Sequence, residues 1–274
     1  MPIHVGNNER KQVMKKLIAT IIAIFGTATG WAMQERPILQ FTEDAIVLSG
    51  EINSSSESDF IRGIMLSAAP KLTIFVDSPG GSVMSAAKMI QAMKDSGKET
   101  ICYAEFAASA AFTLMQNCDK RYVGAGSILM QHPASYGLRA TQAPQVASFN
   151  KMILSSIQQF HKASAERIGL SIPEYEAKIR DDWWIYGTDN VTEKVADAMS
   201  ITTCSPELIQ KQVRKKVRVM MWTIDAAFSS CPLLPKPLGT YDREGNFTPI
   251  SQVDVRIQEA FSKSQAQQFL EREK

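Results

Sequence analysis

The stretch Lys71-Leu72-Thr73-Ile74-Phe75-Val76-Asp77-Ser78-Pro79-Gly80-Gly81-Ser82-Val83 carries three signals in a row. Residues 71–77 are apolar and β-rich, which reads as a buried strand. Ser78 to Ser82 is a turn that no helix or strand interior would tolerate. Val83, Ala86, Ala87, Ile90 and Met93 then recur at helical spacing. Upstream, residues 45–51 read as a strand. Ser56 and Asp59 form a capping-box pattern that opens a helix with Phe60, Ile64 and Met65 on one face. Downstream come a strand over 99–104, a small-residue helix over 109–117, and short strands over 120–124 and 127–132. A long helix over 143–168 carries Ile153, Ile157 and Phe160. A second helix follows from about Ser171 to Asp182, and a last strand over 199–203. Repeated strand–helix–strand units argue for an α/β domain with mainly parallel pairing.

Composition sets limits and no chemistry. The chain has 274 residues, 45% apolar and 21% charged, with a formal charge of +2. That excludes a disordered, collagen-like or polytopic membrane chain. It gives no basic face of the kind nucleic-acid binding needs. The first 32 residues read differently. Arg10, Lys11, Lys15 and Lys16 precede an uncharged run from Leu17 to Ala32. This is the pattern of a secretory signal peptide cut after Ala32 or Ala28, with Met14 as a second start. An uncleaved anchor over 17–32 is the alternative. Without those four cations and Glu9, the balance of 30 basic to 28 acidic residues becomes 26 to 27. Export to the periplasm or beyond would permit disulfides. Sequence proximity pairs Cys102 with Cys118 and Cys204 with Cys231, and free buried thiols are the alternative. The domain proper is expected over 33–205. Residues 206–274 hold a basic cluster (Lys211, Arg214, Lys215, Lys216, Arg218), prolines and a Gln-rich tail, and read as an appendage. The cluster reads as a solvated helix face, or as a membrane-surface or partner contact.

Two glycine- or alanine-rich turns each follow an apolar strand: 77–82, and 105–111 with Ser109. Strand ends feeding helix N-termini are where α/β proteins place ligands, because free N–H groups and the helix dipole favour negative charge there. Ser109 at such a turn has the geometry to attack a carbonyl. The N–H of Ala110 and one from Gly80 or Gly81 are placed to hold the oxyanion. A serine nucleophile needs a base. His4 lies ahead of the leader and His161 sits on the long helix as an expected surface residue, which leaves His132. No metal-ligand spacing appears, and no cofactor is expected.

From about Ile46 to Ala198 the sequence resembles the Clp protease proteolytic subunit family, the ClpP-like serine peptidases. Leu48–Ile52 is similar to the family's first core strand. Phe75–Val83 resembles its Asn-Ser-Pro-Gly-Gly turn, Ala107-Ala108-Ser109 its nucleophile turn, and Ile128–Pro133 its histidine strand. The helix over 143–168 resembles the handle helix by which members build rings. The resemblance implies a crotonase-like fold of repeated ββα units with a protruding handle, shared with signal-peptide peptidases. It implies a Ser–His–Asp peptidase acting on peptides or proteins as a homo-oligomer. Carried over, Ser109 is the nucleophile, His132 the base, and Gly81 with Ala110 the oxyanion donors.

This chain departs from the family pattern in three ways. The family's histidine stands two residues before the proline, and Gln131 fills that slot here. One residue flips a strand side chain to the other face unless a bulge corrects it. The acid falls near Lys178 when counted back from Trp184. Asp182 lies one helical turn further on and is preferred, with Asp181 and a lysine-dependent Lys178 as alternatives. Third, an exported enzyme has no ATP supply, so an unfoldase partner is not expected. A ring scaffold that lost the triad is the second reading. An acyl-CoA enzyme of the crotonase type is the third.

Overall fold

Leu72, Ile74, Phe75 and Val76 are all buried, as in a strand covered on both faces. They belong to β3 (Lys71–Ser78), in a computed structural model that describes residues 36–135, 143–219, 222–253 and 257–258. The proposed leader therefore lies outside the described residues. Around β3 stand β2 (Ile46–Ser49), β4 (Glu99–Ala108) and β5 (Lys120–Gln131), all parallel, with β6 (Trp183–Tyr186) antiparallel at the far edge. The order is β2-β3-β4-β5-β6, and β7 (Ala198–Met199) pairs with the start of β5. A separate parallel pair joins β1 (Ile38–Phe41) to β8 (Ile201–Cys204).

Helices α1 (Ser54–Leu66), α2 (Val83–Asp95) and α3 (Ala110–Gln116) follow β2, β3 and β4. After β5 come α4 (Ala143–Ile168) and α5 (Ile172–Ile179). Two short helices, α6 (Asp189–Thr192) and α7 (Pro206–Gln210), flank β7 and β8. The larger core joins Phe60, Met89, Met93, Leu114 and Tyr175 to the strands. A second core gathers Phe41, Phe75, Tyr103, Leu208 and the Cys204–Cys231 disulfide. Phe41 meets Phe75 edge-on at 5.6 Å, a favoured aromatic geometry. Cys118 just past α3 is tied to Cys102 in β4. Both disulfides are the pairings that sequence proximity suggests, with free thiols the alternative that the structure does not take.

Three local expectations shift. The cap of α1 is Asn53, three residues before the expected Ser56. Its Oδ1 accepts from the N–H groups of Ser55 and Ser56, and Ser56 Oγ answers the Asn53 N–H at 2.9 Å. The two short strands over 120–132 are one strand. Pairing with β4 skips from Val123 to Ile128, and Ser127 Oγ mends the gap by bonding Ala104 O and the Gly124 N–H. Residues 212–249 form an antiparallel sheet where the sequence showed only an appendage. It is built of β9 (Gln212–Val219), β10 (Trp222–Ser229), β11 (Pro237–Tyr241) and β12 (Phe247–Pro249), in the order β12-β11-β10-β9. The basic cluster is therefore mostly strand, with Arg214 stacked on Tyr241 and paired with Asp225.

Arg121 is 3% exposed in β5, where burial disfavours its charge and pushes its pKa down. Asp197 answers it at 2.6 Å and Gln116 takes a second N–H. Arg167 from the end of α4 binds the other Asp197 oxygen at 3.1 Å. One carboxylate therefore joins β5, α4 and the segment before β7. Removing one partner strands a buried charge. Asp197→Ala should cost about 2–4 kcal/mol in urea unfolding, below the full buried-pair value because Asp197 is a third exposed. A loss under about 0.5 kcal/mol would contradict this clamp.

Candidate active site

The ends of β3 and β4 turn into helices side by side. Gly80 and Gly81 adopt φ of 91° and 136°, and Ser109 adopts 55°, a region a non-glycine residue enters only under constraint. The constraint is visible on both sides of Ser109. Its N–H donates to Met130 O at 3.0 Å, and its carbonyl accepts from Thr113 N at 3.1 Å, the first bond of α3. Ser109 stands at the N-cap of α3, yet its hydroxyl makes no capping bond. A half-buried serine hydroxyl left uncommitted on a strained strand-to-helix turn is the geometry of an exposed nucleophile.

Gly80 presses against that turn. A Cβ there would lie 2.6 Å from Ala108 O, 2.8 Å from Ala110 N and 2.8 Å from Ser109 Cβ. Within the glycine pair the two N–H groups differ. That of Gly80 donates to Ser78 Oγ at 3.1 Å, which removes it from the expected oxyanion donors. Ile52 bridges the turn in parallel fashion: its N–H donates to Gly80 O and its carbonyl accepts from Ser82 N. Gly81, between those bonds, turns its own N–H away from Ile52. Ala110 begins α3, so its N–H has no intrahelical acceptor.

A cavity of about 30 Å³, room for a water, opens beside these groups. Ser109, Ala110, Thr113, Gln131, His132 and His161 contribute to its wall, with Val83, Ile157 and Phe160 supplying apolar surface. Gln131 faces inward and is buried, at the last position of β5. Its amide donates to Thr113 Oγ1 at 3.1 Å and to Tyr175 OH at 3.2 Å, and its oxygen accepts the His132 N–H. Gln131 is thus a structural strut. The register shift within β5 lies upstream, between Val123 and Ile128; β5 ends at Gln131, so His132 stands just past the strand and outside its alternation. Ser109 and His132 line one cavity by this route.

The expected acid is elsewhere. Asp182 has φ 57°, is exposed, and lies outside the cavity wall. Its helix ends at Ile179, so the one-turn spacing from Lys178 does not operate. Asp181 is exposed too, and Lys178 binds Glu193 at 2.7 Å over the Trp183 ring. His161, expected at the surface, instead has a side chain 13% exposed in the cavity wall, with Nδ1 3.8 Å from Glu176 Oε1. The sequence held a cue: His161 follows Phe160 and lies four residues after Ile157, on the edge of the apolar stripe.

Burial pushes His161 below its ordinary value, against the opposing pull of Glu176. The unfolded chain then binds more protons as pH falls from about 6.5. The stability His161 confers is whole above that pH and is lost below it. His161→Gln should flatten the fall in Tm between pH 7 and 5, and an unchanged slope would contradict the burial. Gly80→Ala should disrupt the Ser109 turn and lower Tm by several degrees, read by calorimetry.

A search of curated proteins finds no match. The family model for Clp protease matches residues 34–201, more than half of the chain, and takes in both turns and the cavity wall from Ser109 to His161. The chain belongs to the Clp protease family, whose members are peptidases that act on peptide substrates and typically assemble into rings.

Proposed function

We propose that the protein is an exported serine endopeptidase working without an ATPase partner. The observation that carries this is Ser109: an uncommitted hydroxyl on a strained turn, flanked by the unspent N–H groups of Gly81 and Ala110. Ser109 Oγ attacks the peptide carbonyl while His132 takes its proton. The oxyanion is held by Gly81 and Ala110. His132 then protonates the leaving amine, and water hydrolyses the acyl-enzyme. Gln131 ties Thr113 in the wall to Tyr175 behind it, and its amide cannot accept a proton at neutral pH.

Two disulfides support an oxidising compartment, in keeping with the leader-like first 32 residues. Ring assembly is supported by α4. Ala165 and Ile168 at its end are buried, while Phe149, Met152 and Leu154 stay between 40% and 48% exposed, as for a handle awaiting other copies. A second reading, a ring scaffold without activity, draws on one fact: Asp182 is away from the cavity.

A fluorophosphonate probe separates the two. Stoichiometric labelling lost in Ser109→Ala supports the enzyme. Labelling should also fall at least 100-fold in rate in His132→Ala and stay within about threefold in His161→Gln. A folded chain that takes up no probe supports the scaffold.

A further inference from the structure

The β9–β10 hairpin reaches past the rest of its sheet. All eight residue pairs from Ser229↔Gln212 to Trp222↔Val219 are in register, whereas β11 pairs with β10 only as far as Asp225. The pairs at 224, 223 and 222 therefore stand clear of β11, a projection of about 10 Å at about 3.4 Å per residue. The base is fixed: Ser229 Oγ donates to Ile209 O at 2.9 Å, Ser230 N to Lys211 O at 2.8 Å, and Cys231 is bonded to Cys204. Exposure rises along β10 from the buried Ala227 and Ala226, through half-buried Ile224, to Trp222 at 67%. Met220 and Met221, which join the strands, lie outside the described residues.

The two faces of the projection differ. Trp222, Ile224 and Val217 share one face by register, continuous with Ala226 and Phe228, whose end is covered by Ile250 and Ile257; Lys215, opposite Ala226, also lies on this face, its ammonium 5.9 Å from the Phe228 ring centre. The other face carries Arg218, Lys216 and Arg214. Asp225 is taken by Arg214 at 2.9 Å. Lys215, Lys216 and Arg218 have no acidic partner among the described residues, and all three are exposed.

We infer that this hairpin docks the protein on an anionic lipid bilayer, Trp222 entering the interface and Lys215, Lys216 and Arg218 meeting the headgroups. Lysines along an edge strand are by themselves ordinary protection against edge pairing. Such protection does not call for a bare tryptophan at the strand's outer end. A tryptophan above a collar of cations is the composition of an interfacial anchor, and about 10 Å matches the depth such anchors reach. An acidic peptide adding to the β9 edge would use the same cations and would leave Trp222 without a role.

The test uses the full chain and sedimentation with vesicles of phosphatidylcholine, alone or with about a third phosphatidylglycerol. The protein should bind the anionic vesicles at about 0.1 M salt and release as salt rises. Lys216→Gln with Arg218→Gln should weaken partitioning roughly 25-fold, two cations each worth about fivefold. Trp222→Ser should weaken it several-fold at any salt. Both variants should keep wild-type probe labelling at Ser109, which reports folding separately from docking. Salt-independent binding by the wild-type chain would overturn the inference without need of a variant. So would binding equal in all forms, which would assign it to another segment such as residues 17–32. Capture by an acidic peptide with no vesicle binding would overturn it in favour of an edge-strand peptide site.

Discussion

The geometry of the site rests on the contact between two turns. The chain leaves β3 at Gly80 and β4 at Ser109, and the two backbones approach so closely that no Cβ fits between them. Parallel neighbouring strands bring the turns to the same end of the sheet, and each feeds a helix. The approach has three effects at once. It holds Ser109 at a φ it would not choose, leaves the Ala110 N–H facing outward from α3, and sets the Gly81 N–H on the neighbouring rail. A looser contact would relax the serine into an ordinary cap, with its hydroxyl spent on the helix it precedes.

The remaining elements brace that contact. Met130 O takes the Ser109 N–H from β5, and Gln131 ties β5 to α3 and α5 through Thr113 and Tyr175. Asp197 ties β5 to the end of α4 through Arg121 and Arg167. The helix that contributes Ile157, Phe160 and His161 to the cavity is thereby fixed at its C-terminal end. Its N-terminal half keeps apolar residues exposed. The polar struts are nearly all satisfied, which is what a buried network needs to favour one arrangement.

Much of this was legible in the sequence, for reasons that vary by residue. The Ser78–Ser82 turn could be read because two glycines after an apolar strand exclude every regular element. Ser109 among alanines was a weak signal by itself, and became legible through its pairing with the Ser78–Ser82 turn about thirty residues earlier. Proximity suggested the disulfide pairing but left free thiols equally open. Asp182 failed because the helix ends at Ile179, and helical spacing says nothing beyond the last helical residue. His161 was missed because a histidine beside a stripe edge looks alike whether water or a cavity faces it. The four-stranded sheet was hidden because β9 sets four cations among its valines, and β11 and β12 are short and carry proline or glycine. Val217 and Ile224 reveal their pairing only through register.

The β1–β8 pair has a consequence for how the chain is made. Ile38 lies opposite Ile201 and Phe41 opposite Cys204, so the first strand has no partner until almost the whole domain has followed it. Phe41 is completely buried in the finished arrangement, and until β8 arrives its cover is limited to the faces of Phe75 and Tyr103. Pairings of such sequence separation are slow, because loop closure must be met before the contact repays it. The Cys204–Cys231 bond lies later still and locks the strand that receives β1. The first of the described strands therefore waits for one of the later ones before its edge is paired.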